Sequence, residues 1–368
     1  MQRLLVLLLV QLLYAGKCTS TPAPHHEEKH KGNSHGHWSY EGKEAWSKDY
    51  KLCEGHAQSP INIVVRKTLL KTSLVPITVE GYNLPEADLL TLSNNGHTVQ
   101  LSLPDTMSIT SGLSQTYRAA QLHLHWGCGD TLGSEHTVDS TRYPAEIHFV
   151  HFAAKYGSLQ EAMHKDDGLA VLGAFFEVGP QENEHYNHIF KKLEDITEEG
   201  SKVSIPGFDI KNLLPRQLGH YFRYSGSLTT PPCDQTVNWT IFKDTIQISQ
   251  LQLHRLKSSL RTSDNQILSC NYRDVQPLNR RPVFVSFPEG LLHREVPEGG
   301  STKSDGDSVR TEGNQFRLGD LLAIIFGILF GCTALAFVLY VIKQKKRQRL
   351  NTERGPKVIY KPTATAEA

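Results

Sequence analysis

The sequence predicts one β-rich domain over residues 37–287 and, beyond it, one helix that spans a membrane. Two observations lead to this fold class. Short apolar runs separated by glycine, proline, asparagine and aspartate recur along residues 37–287, which is typical of strands joined by turns. Residues 321–342 carry no charge, and at about 1.5 Å per residue such a helix covers the roughly 30 Å of a hydrocarbon core.

Each apolar run of the domain predicts one strand. The runs lie at residues 61–65, 77–79, 89–92, 99–103, 119–126, 145–152, 169–178, 236–242 and 283–287. Helical patterns are fewer, and they lie at residues 160–164, 184–196 and 249–260. Since neither a repeat nor an internal boundary interrupts these elements, we expect a single domain.

The amino-terminal end predicts export from the cytoplasm. Within residues 1–20, Arg3 precedes an apolar run that small residues follow, which is the pattern of a secretory signal. Cleavage after Ala15 and cleavage after Ser20 both fit, so the fate of Cys18 stays open.

The carboxyl-terminal end predicts a membrane anchor. Residues 343–368 form a tail with eight basic and two acidic residues, and basic residues after a membrane span remain in the cytoplasm. We therefore expect a single-pass type I protein of the plasma membrane with residues 37–287 outside the cell. A His-rich flexible leader at residues 21–36 and an acidic Gly/Ser stalk at residues 288–320 flank the domain.

Charge and cysteine content narrow the possible partners and indicate disulfides. The net charge of the whole chain is +1 with a basic tail, so the domain is mildly acidic and we expect no nucleic-acid partner. Four cysteines, an even set, remain in the exported domain, which favours disulfides with three alternative connectivities. These are Cys53, Cys128, Cys233 and Cys270, whereas Cys332 lies in the membrane span.

Two neighbouring strands carry a predicted metal site. In the stretch QLHLHW, Gln121, His123 and His125 share one strand face because side chains alternate. The strand EIHFVH places Glu146 and His148 together on one face as well. Three neutral imidazoles leave one position of a tetrahedral zinc open, as in catalytic sites, and Gln121 and Glu146 could accept their outer N–H groups.

Three further features have less specific interpretations. His151 faces away from His148 and is predicted to be an ordinary core histidine. The sequon at Asn238 lies in a predicted core strand, so its glycosylation stays open. Gly327 and Gly331 form a GxxxG motif, which lets membrane helices approach closely. A homodimer through the predicted membrane helices is therefore an expectation.

Several blocks of the sequence resemble the signature blocks of the α-carbonic anhydrase family. They are QLHLHWG, GSEHTVD, AEIHFVHF, DGLAVLG and GSLTTPPC, and QSPINI, NNGH and QPLNRR extend the likeness over residues 37–287. The signal, stalk, span and tail resemble the single-pass transmembrane extracellular isoforms XII and XIV. The resemblance implies an α+β fold: a large central, mostly antiparallel twisted β-sheet with peripheral helices, plus one C-terminal transmembrane helix.

The resemblance also implies a reaction, a cofactor and the residues that hold it. The expected reaction is the extracellular, reversible hydration of carbon dioxide to bicarbonate and a proton by hydroxide on Zn²⁺. His123, His125 and His148 match the zinc ligands, and Gln121, Glu146 and the carbonyl of Asn271 match the acceptors behind them. Thr229 matches the residue whose hydroxyl accepts a hydrogen bond from the hydroxide and donates one to Glu135.

Further residues match the proton path, the substrate wall and the disulfides. His97 matches the proton shuttle, and residues that match its water network are Tyr40, Asn95 and Gln100. The wall that holds carbon dioxide is matched by Val150, Val171, Leu228, Val237 and Trp239, and Thr230 lies beside Thr229. Cys53 and Cys233 match a disulfide of the extracellular members, and we predict a second between Cys128 and Cys270.

The main alternative is a carbonic-anhydrase-like ectodomain that binds a ligand or another cell without catalysis. Such a domain would have lost metal ligands, whereas this sequence keeps the three histidines together with Glu135 and Thr229. We therefore expect an enzyme that supports pericellular pH and bicarbonate handling, with bicarbonate or proton transporters as expected partners.

Overall fold

The fold is organised on β7 (Tyr117–Trp126), the strand that contains the alternating stretch QLHLHW. The structure, a computed structural model, describes residues 38–288. The predicted signal, leader, membrane span and basic tail, and all but the first residue of the stalk, lie outside these residues. Among residues 38–288, no helix is long and apolar enough to cross a bilayer.

Fifteen strands and four short α-helices form the described part of the chain. The other strands are β1 (Asn62–Ile63), β2 (Leu69–Leu70), β3 (Thr78–Glu80), β4 (Leu89–Asn94), β5 (Val99–Ser102), β6 (Ser108–Ser111), β8 (Thr137–Val138), β9 (Ala145–Ala153), β10 (Leu169–Gly179), β11 (Lys202–Pro206), β12 (Tyr221–Gly226), β13 (Val237–Phe242), β14 (Ile246–Ser249) and β15 (Phe284–Val285). The helices are α1 (Trp46–Asp49), α2 (Leu159–Ala162), α3 (Asn187–Phe190) and α4 (Gln250–Ser258).

One large sheet of 13 strands dominates, with the path β11-β4-β5-β7-β9-β10-β13-β12-β15-β2. β14 pairs with β10, β6 joins β7 to β3, and β1 pairs with β8 in a separate small sheet. Nine strand pairings of the large sheet are antiparallel and three are parallel among the described residues, so the sheet is mixed with an antiparallel majority. The few short helices agree with the expected central sheet and peripheral helices.

The two faces of β7 differ as the alternation predicts. Leu122, Leu124 and Trp126 are fully buried in the larger apolar core, together with residues of α3 and α4. The opposite face carries His123 and His125. On that side of the neighbouring strands lies a second apolar cluster, which includes Val150, Val171 and Trp239. The sheet is therefore buried on both faces, and it separates the larger apolar core from the side that carries the histidines.

The nine predicted strands all coincide with strands, but the prediction missed six others. The missed strands are β2, β6, β8, β11, β12 and β14. Two-residue strands such as β2 and β8 are too short to show a pattern. β12 is buried at five of its six residues and carries Arg223 on one of them, so it shows no alternation between apolar and polar residues.

The predicted helix at residues 184–196 is broken. It consists of two short 3₁₀ segments, Glu184–Tyr186 and Leu193–Ile196, on either side of α3. The chain bends there because it buries apolar side chains in both 3₁₀ segments and in α3 rather than along one straight face. The helix predicted from residue 249 is confirmed as α4, where Ser249 and Gln252 form a reciprocal capping box.

Both predicted disulfides are present. Cys53 and Cys233 lie 5.0 Å apart at their Cα atoms and join the segment after α1 to the loop before β13. Cys128 and Cys270 lie 4.9 Å apart and join the end of β7 to the loop that carries Asn271.

His151 is the core histidine that the sequence predicts, and its burial makes stability depend on pH. It is fully buried, its Nδ1–H donates to the Phe149 carbonyl at 3.0 Å, and its Nε2 accepts from the Tyr82 hydroxyl at 2.6 Å. Burial lowers the pKa of His151 from 6.5 to about 4. Between these values the unfolded chain binds the proton and the folded chain does not, so stability falls as the pH falls from 6.5 to 4.

We expect His151→Gln to reduce this loss by about 3 kcal/mol, the equivalent of the shift in pKa. Urea unfolding of both proteins at pH 7 and pH 4, with chelator present throughout, measures the two losses without a contribution from metal. His254→Gln, at an exposed position on α4, is the matched control and should retain the wild-type loss. An equal pH dependence in His151→Gln and the wild type would contradict the assignment.

Candidate metal centre

The register between β7 and β9 brings the three predicted ligands together. His123 lies opposite His148 and His125 lies opposite Glu146, so all four side chains are on the same side of the pair of strands. The ring centroids of the histidines are 4.6 to 5.2 Å apart. One nitrogen of each ring lies within 4.8 Å of the other two, which makes the triad able to bind a metal ion.

A separate acceptor binds the outer nitrogen of each ring. His123 Nδ1 donates to Gln121 Oε1 at 2.8 Å and His125 Nδ1 donates to the Asn271 carbonyl at 2.7 Å. His148 Nε2 donates to Glu146 Oε1 at 2.7 Å. Because the protons are held on the outer nitrogens, His123 Nε2, His125 Nε2 and His148 Nδ1 present lone pairs to one another.

The convergence of these lone pairs fits a cation. His125 Nε2 and His148 Nδ1 are 3.0 Å apart, and Glu135 Oε2 lies 3.4 Å from the first and 3.8 Å from the second. This buried carboxylate oxygen has no hydrogen-bond partner among the described residues. Burial lowers the pKa of His123 and of His125, so neutral rings are favoured. Three neutral imidazoles with a carboxylate beside them are a donor set that suits zinc.

Glu146 is the most heavily bonded acceptor of the site. Its Oε2 accepts from the backbone N–H groups of Glu135 and His136 at 2.8 Å each, and its Oε1 accepts from His136 Nδ1 and His148 Nε2 at 2.7 Å each. Although burial raises the pKa of Glu146, the facing His136 and His148 hold it well below the usual range. Gly173, opposite His148 on β10, leaves room here, since a Cβ atom would lie 3.5 Å from Glu146 Oε1 and 2.7 Å from Ile241.

Sequence reasoning missed His136, which lies in the block GSEHTVD without an assigned role. His136, Glu146 and His148 also form a group with metal-ligand geometry, but Glu146 already accepts a hydrogen bond from each ring. His136 Nε2 accepts from the Tyr224 hydroxyl at 2.6 Å, and that hydroxyl lies 2.8 Å from Ser59 Oγ. The only signal that the sequence offers for this role is that His136 directly follows Glu135, to which the resemblance assigns a role.

Arg273 is the second residue that the sequence analysis missed. Its backbone N–H donates to Glu135 Oε1 at 2.8 Å. Its guanidinium donates to Gln58 Oε1 and to the carbonyls of Ser59 and Cys53, at 2.8 to 2.9 Å. Arg273 therefore holds Glu135 in place from the loop that also carries Asn271.

One contact that the resemblance implies stays a prediction. The hydrogen bond from the Thr229 hydroxyl to Glu135 is not among those of the described residues; Glu135 Oε2 is instead directed at His125 and His148. Thr229 itself is buried, 5% exposed, in the segment after β12, and Thr230 follows it at the turn to Cys233.

The residues predicted for proton transfer lie near one another. The Asn95 side chain accepts from the backbone N–H of His97 at 3.0 Å and donates to Gln100 Oε1 at 3.5 Å. The His97 ring stacks on Trp38 with centroids 3.8 Å apart and planes 9° apart. Burial and the charge of Glu135 raise the pKa of Tyr40 well above its usual value, so its hydroxyl stays protonated.

The predicted substrate wall is one apolar cluster. Val150, Val171, Val237 and Trp239 belong to it, and Leu228 packs against it. β10 pairs with β9 and β13, which sets Val171 between Val150 and Trp239. Trp239 lies 4.8 Å from His148 between ring centroids, so the cluster adjoins the metal-binding triad.

The β-rich domain is similar in sequence to known proteins. A family model described as eukaryotic-type carbonic anhydrase matches residues 41–287. Carbonic anhydrase 6 of Bos taurus is 43% identical over 262 residues, which cover 68% of this chain and 82% of that protein. Carbonic anhydrase 6 of Homo sapiens is 42% identical over 246 residues, covering 66% and 80%.

A third relative extends the similarity beyond the domain. Carbonic anhydrase 12 of Homo sapiens is 37% identical over 360 residues, which cover 95% of this chain and 93% of that protein. With a family match over most of its length and a relative similar along nearly all of it, the chain belongs to the eukaryotic-type carbonic anhydrase family, whose zinc-dependent enzymes hydrate carbon dioxide.

Proposed function

We propose that the chain hydrates carbon dioxide reversibly outside the cell with zinc held by His123, His125 and His148. The observation that carries this proposal is the convergence of three ring nitrogens whose outer N–H groups are each bound by an acceptor. Zinc with three neutral imidazole ligands keeps its full charge and lowers the pKa of water to about 7, which supplies hydroxide at neutral pH.

The protein's own residues would orient the reactants. Thr229 can accept a hydrogen bond from the attacking hydroxide if its own proton goes to an acceptor, and the unpartnered Oε2 of Glu135 is such an acceptor. Carbon dioxide offers no strong hydrogen-bonding group, so the wall of Val150, Val171 and Trp239 suits it by burying apolar surface. The product bicarbonate carries a negative charge and would leave this wall.

Each hydration of carbon dioxide by water yields one bicarbonate and one proton, and the proton has to leave the buried site. His97 is half-buried, and its backbone N–H donates to the Asn95 side chain, which in turn donates to Gln100. An imidazole with a pKa near 6.5 can accept and release a proton at neutral pH. We therefore assign proton export to His97.

The cellular setting is inferred from the ends of the sequence. Residues 1–20 resemble a secretory signal, and residues 321–342 resemble a membrane span followed by a basic tail. The two disulfides of the domain fit an oxidising compartment. The enzyme would then act at the cell surface, where it would influence pericellular pH and serve transporters of bicarbonate or protons.

The first prediction concerns the reaction. We expect the purified full-length protein to hydrate carbon dioxide, to lose this activity after treatment with a chelator, and to regain it with zinc. Stopped-flow measurement with a pH indicator follows the proton released. Folded, zinc-loaded protein without activity would contradict the proposal and favour the non-catalytic binding domain.

The second prediction concerns Glu146. Glu146→Gln has one oxygen where the carboxylate has two and adds an N–H₂ group opposite four donors, so the orientation of His148 is lost. We expect zinc to bind about 10 to 100 times more weakly, because such acceptors have that effect on metal affinity. Zinc release to a chromogenic chelator measures this change. Glu194→Gln at an exposed position is the control, and equal release from both variants would refute the role of Glu146.

The third prediction concerns His97. In weak buffer we expect His97→Ala to lower kcat by about 100-fold, the lower end of what a positioned acid–base group contributes. Strong imidazole buffer should restore the rate, because it carries the proton instead. His254→Ala, on exposed α4, should be unaffected. Unchanged turnover of His97→Ala in weak buffer would remove the assignment.

A further inference from the structure

A second pocket lies away from the metal-binding histidines and has a strongly basic wall. Its volume is about 530 Å³, within the usual range for small-molecule sites. It is bounded by the end of β2, the turn between β6 and β7, β12 and residues 281–284. Lys71, Arg223 and Arg281 line it, and no aspartate or glutamate does.

The hydrogen bonds of the two arginines go to neutral oxygens. Each guanidinium also lies over a tyrosine ring, Arg223 over Tyr221 at 4.9 Å and Arg281 over Tyr224 at 5.6 Å from the ring centroid. Arg223 donates to Thr240 Oγ1 and, through both terminal nitrogens, to the Gly112 carbonyl, each at 3.1 Å. Arg281 donates to the carbonyls of Leu278, Ser225, Gln58 and Pro277 at 2.6 to 3.1 Å. These bonds satisfy N–H groups and set the orientation of the guanidinium planes, but they leave both charges uncompensated.

The three cations of the pocket wall have no carboxylate partner, which is also true of most other lysines and arginines among the described residues. Lys43, Arg118, Lys155 and Lys192 each lie within 4 Å of a carboxylate, whereas Lys71, Arg223 and Arg281 do not. Arg223 is only 8% exposed, and burial lowers its pKa, although an arginine remains charged. Glu80 accepts from the hydroxyl of Thr110, which lines the pocket, but Glu80 itself does not line it.

Hydroxyl and aromatic groups complete the wall. Serines at 73, 111, 114 and 225 could donate to an oxyanion, and the half-buried ring of Phe284 offers flat apolar surface. Lys71 Nζ lies 4.8 Å from the centroid of the Phe284 ring, which places its charge at the same wall. Arginine and lysine charges with hydroxyl donors are the groups that bind phosphate and sulfate, and the volume leaves room for an organic part.

We propose that this pocket is an oxyanion-binding site for a phosphate or sulfate group, free or as a monoester of a small organic molecule. The site is separate from the catalytic centre, and the proposal does not depend on the function proposed above. Its geometry, three cations without an acid around one cavity, is what distinguishes it from a water-filled groove.

Protection of the Lys71 amine tests the proposal on the full-length chain. Lys71 is exposed, so an acetylating reagent can modify it, and peptide mass spectrometry can follow the rate at each lysine. At constant ionic strength we expect inorganic phosphate to slow the labelling of Lys71 at least fivefold in a saturable way. Lys202, exposed on β11 at the opposite edge of the sheet, should be labelled at an unchanged rate.

A charge placed on the wall gives the matched comparison. Ser114 is exposed and lines the pocket, and Ser114→Glu should raise the phosphate concentration for half protection of Lys71 at least fivefold. Ser204→Glu adds the same charge on exposed β11 and should leave that concentration unchanged. If Lys71 is not protected, is protected in parallel with Lys202, or is protected equally in Ser114→Glu, the proposal is wrong.

The same assay identifies the source of the oxyanion. Inorganic sulfate, a sugar phosphate and a sugar sulfate are compared with inorganic phosphate. If a monoester reaches half protection of Lys71 at a lower concentration than inorganic phosphate does, the remaining volume of the pocket binds an organic group. Equal or weaker protection by the monoesters assigns the site to the free anion.

Discussion

The pairing of β7 with β9 is the constraint on which the rest of the site depends. Because side chains alternate along a strand, a shift of one residue would turn His148 toward the apolar core and His151 toward the site. The register is set by the opposite face, where Leu122, Leu124 and Trp126 are fully buried. Apolar packing on one side of the sheet therefore determines which histidines meet on the other.

Backbone rigidity alone would leave the rings free to rotate, and the acceptors remove that freedom. Gln121 and Glu146 lie on the same strands as the rings they bind, two residues away. Asn271 comes from a distant loop, and its side chain also binds the Trp126 N–H and the carbonyls of His97 and Leu124. The Cys128–Cys270 disulfide anchors that loop next to Asn271, so one segment contacts both His125, the proposed metal ligand, and His97, the proposed shuttle.

Local patterns predicted the parts of this structure that depend on neighbours in sequence. The face shared by Gln121, His123 and His125 follows from a period of two, and the nine apolar runs of the domain became strands. The contact of Arg273 with Glu135 spans 138 positions and leaves no local pattern, so only the folded chain reveals it. The family resemblance supplied the role of Asn271, whereas the broken helix before β11 and the direction of Glu135 Oε2 depend on packing in three dimensions.

The buried carboxylate of Glu146 also sets the direction of the hydrogen bonds that run from His136 through Tyr224 to Ser59. Since a carboxylate can only accept, His136 has to hold its proton on Nδ1, which leaves Nε2 as an acceptor. The Tyr224 hydroxyl must then donate to His136, and burial keeps this phenol protonated by raising its pKa well above the usual value. Ser59 in turn donates to Tyr224 and accepts from the Ser227 backbone N–H at 3.0 Å. One charge therefore orders a chain of donors from β9 to the segment before Thr229, and the same Tyr224 forms part of the basic pocket wall.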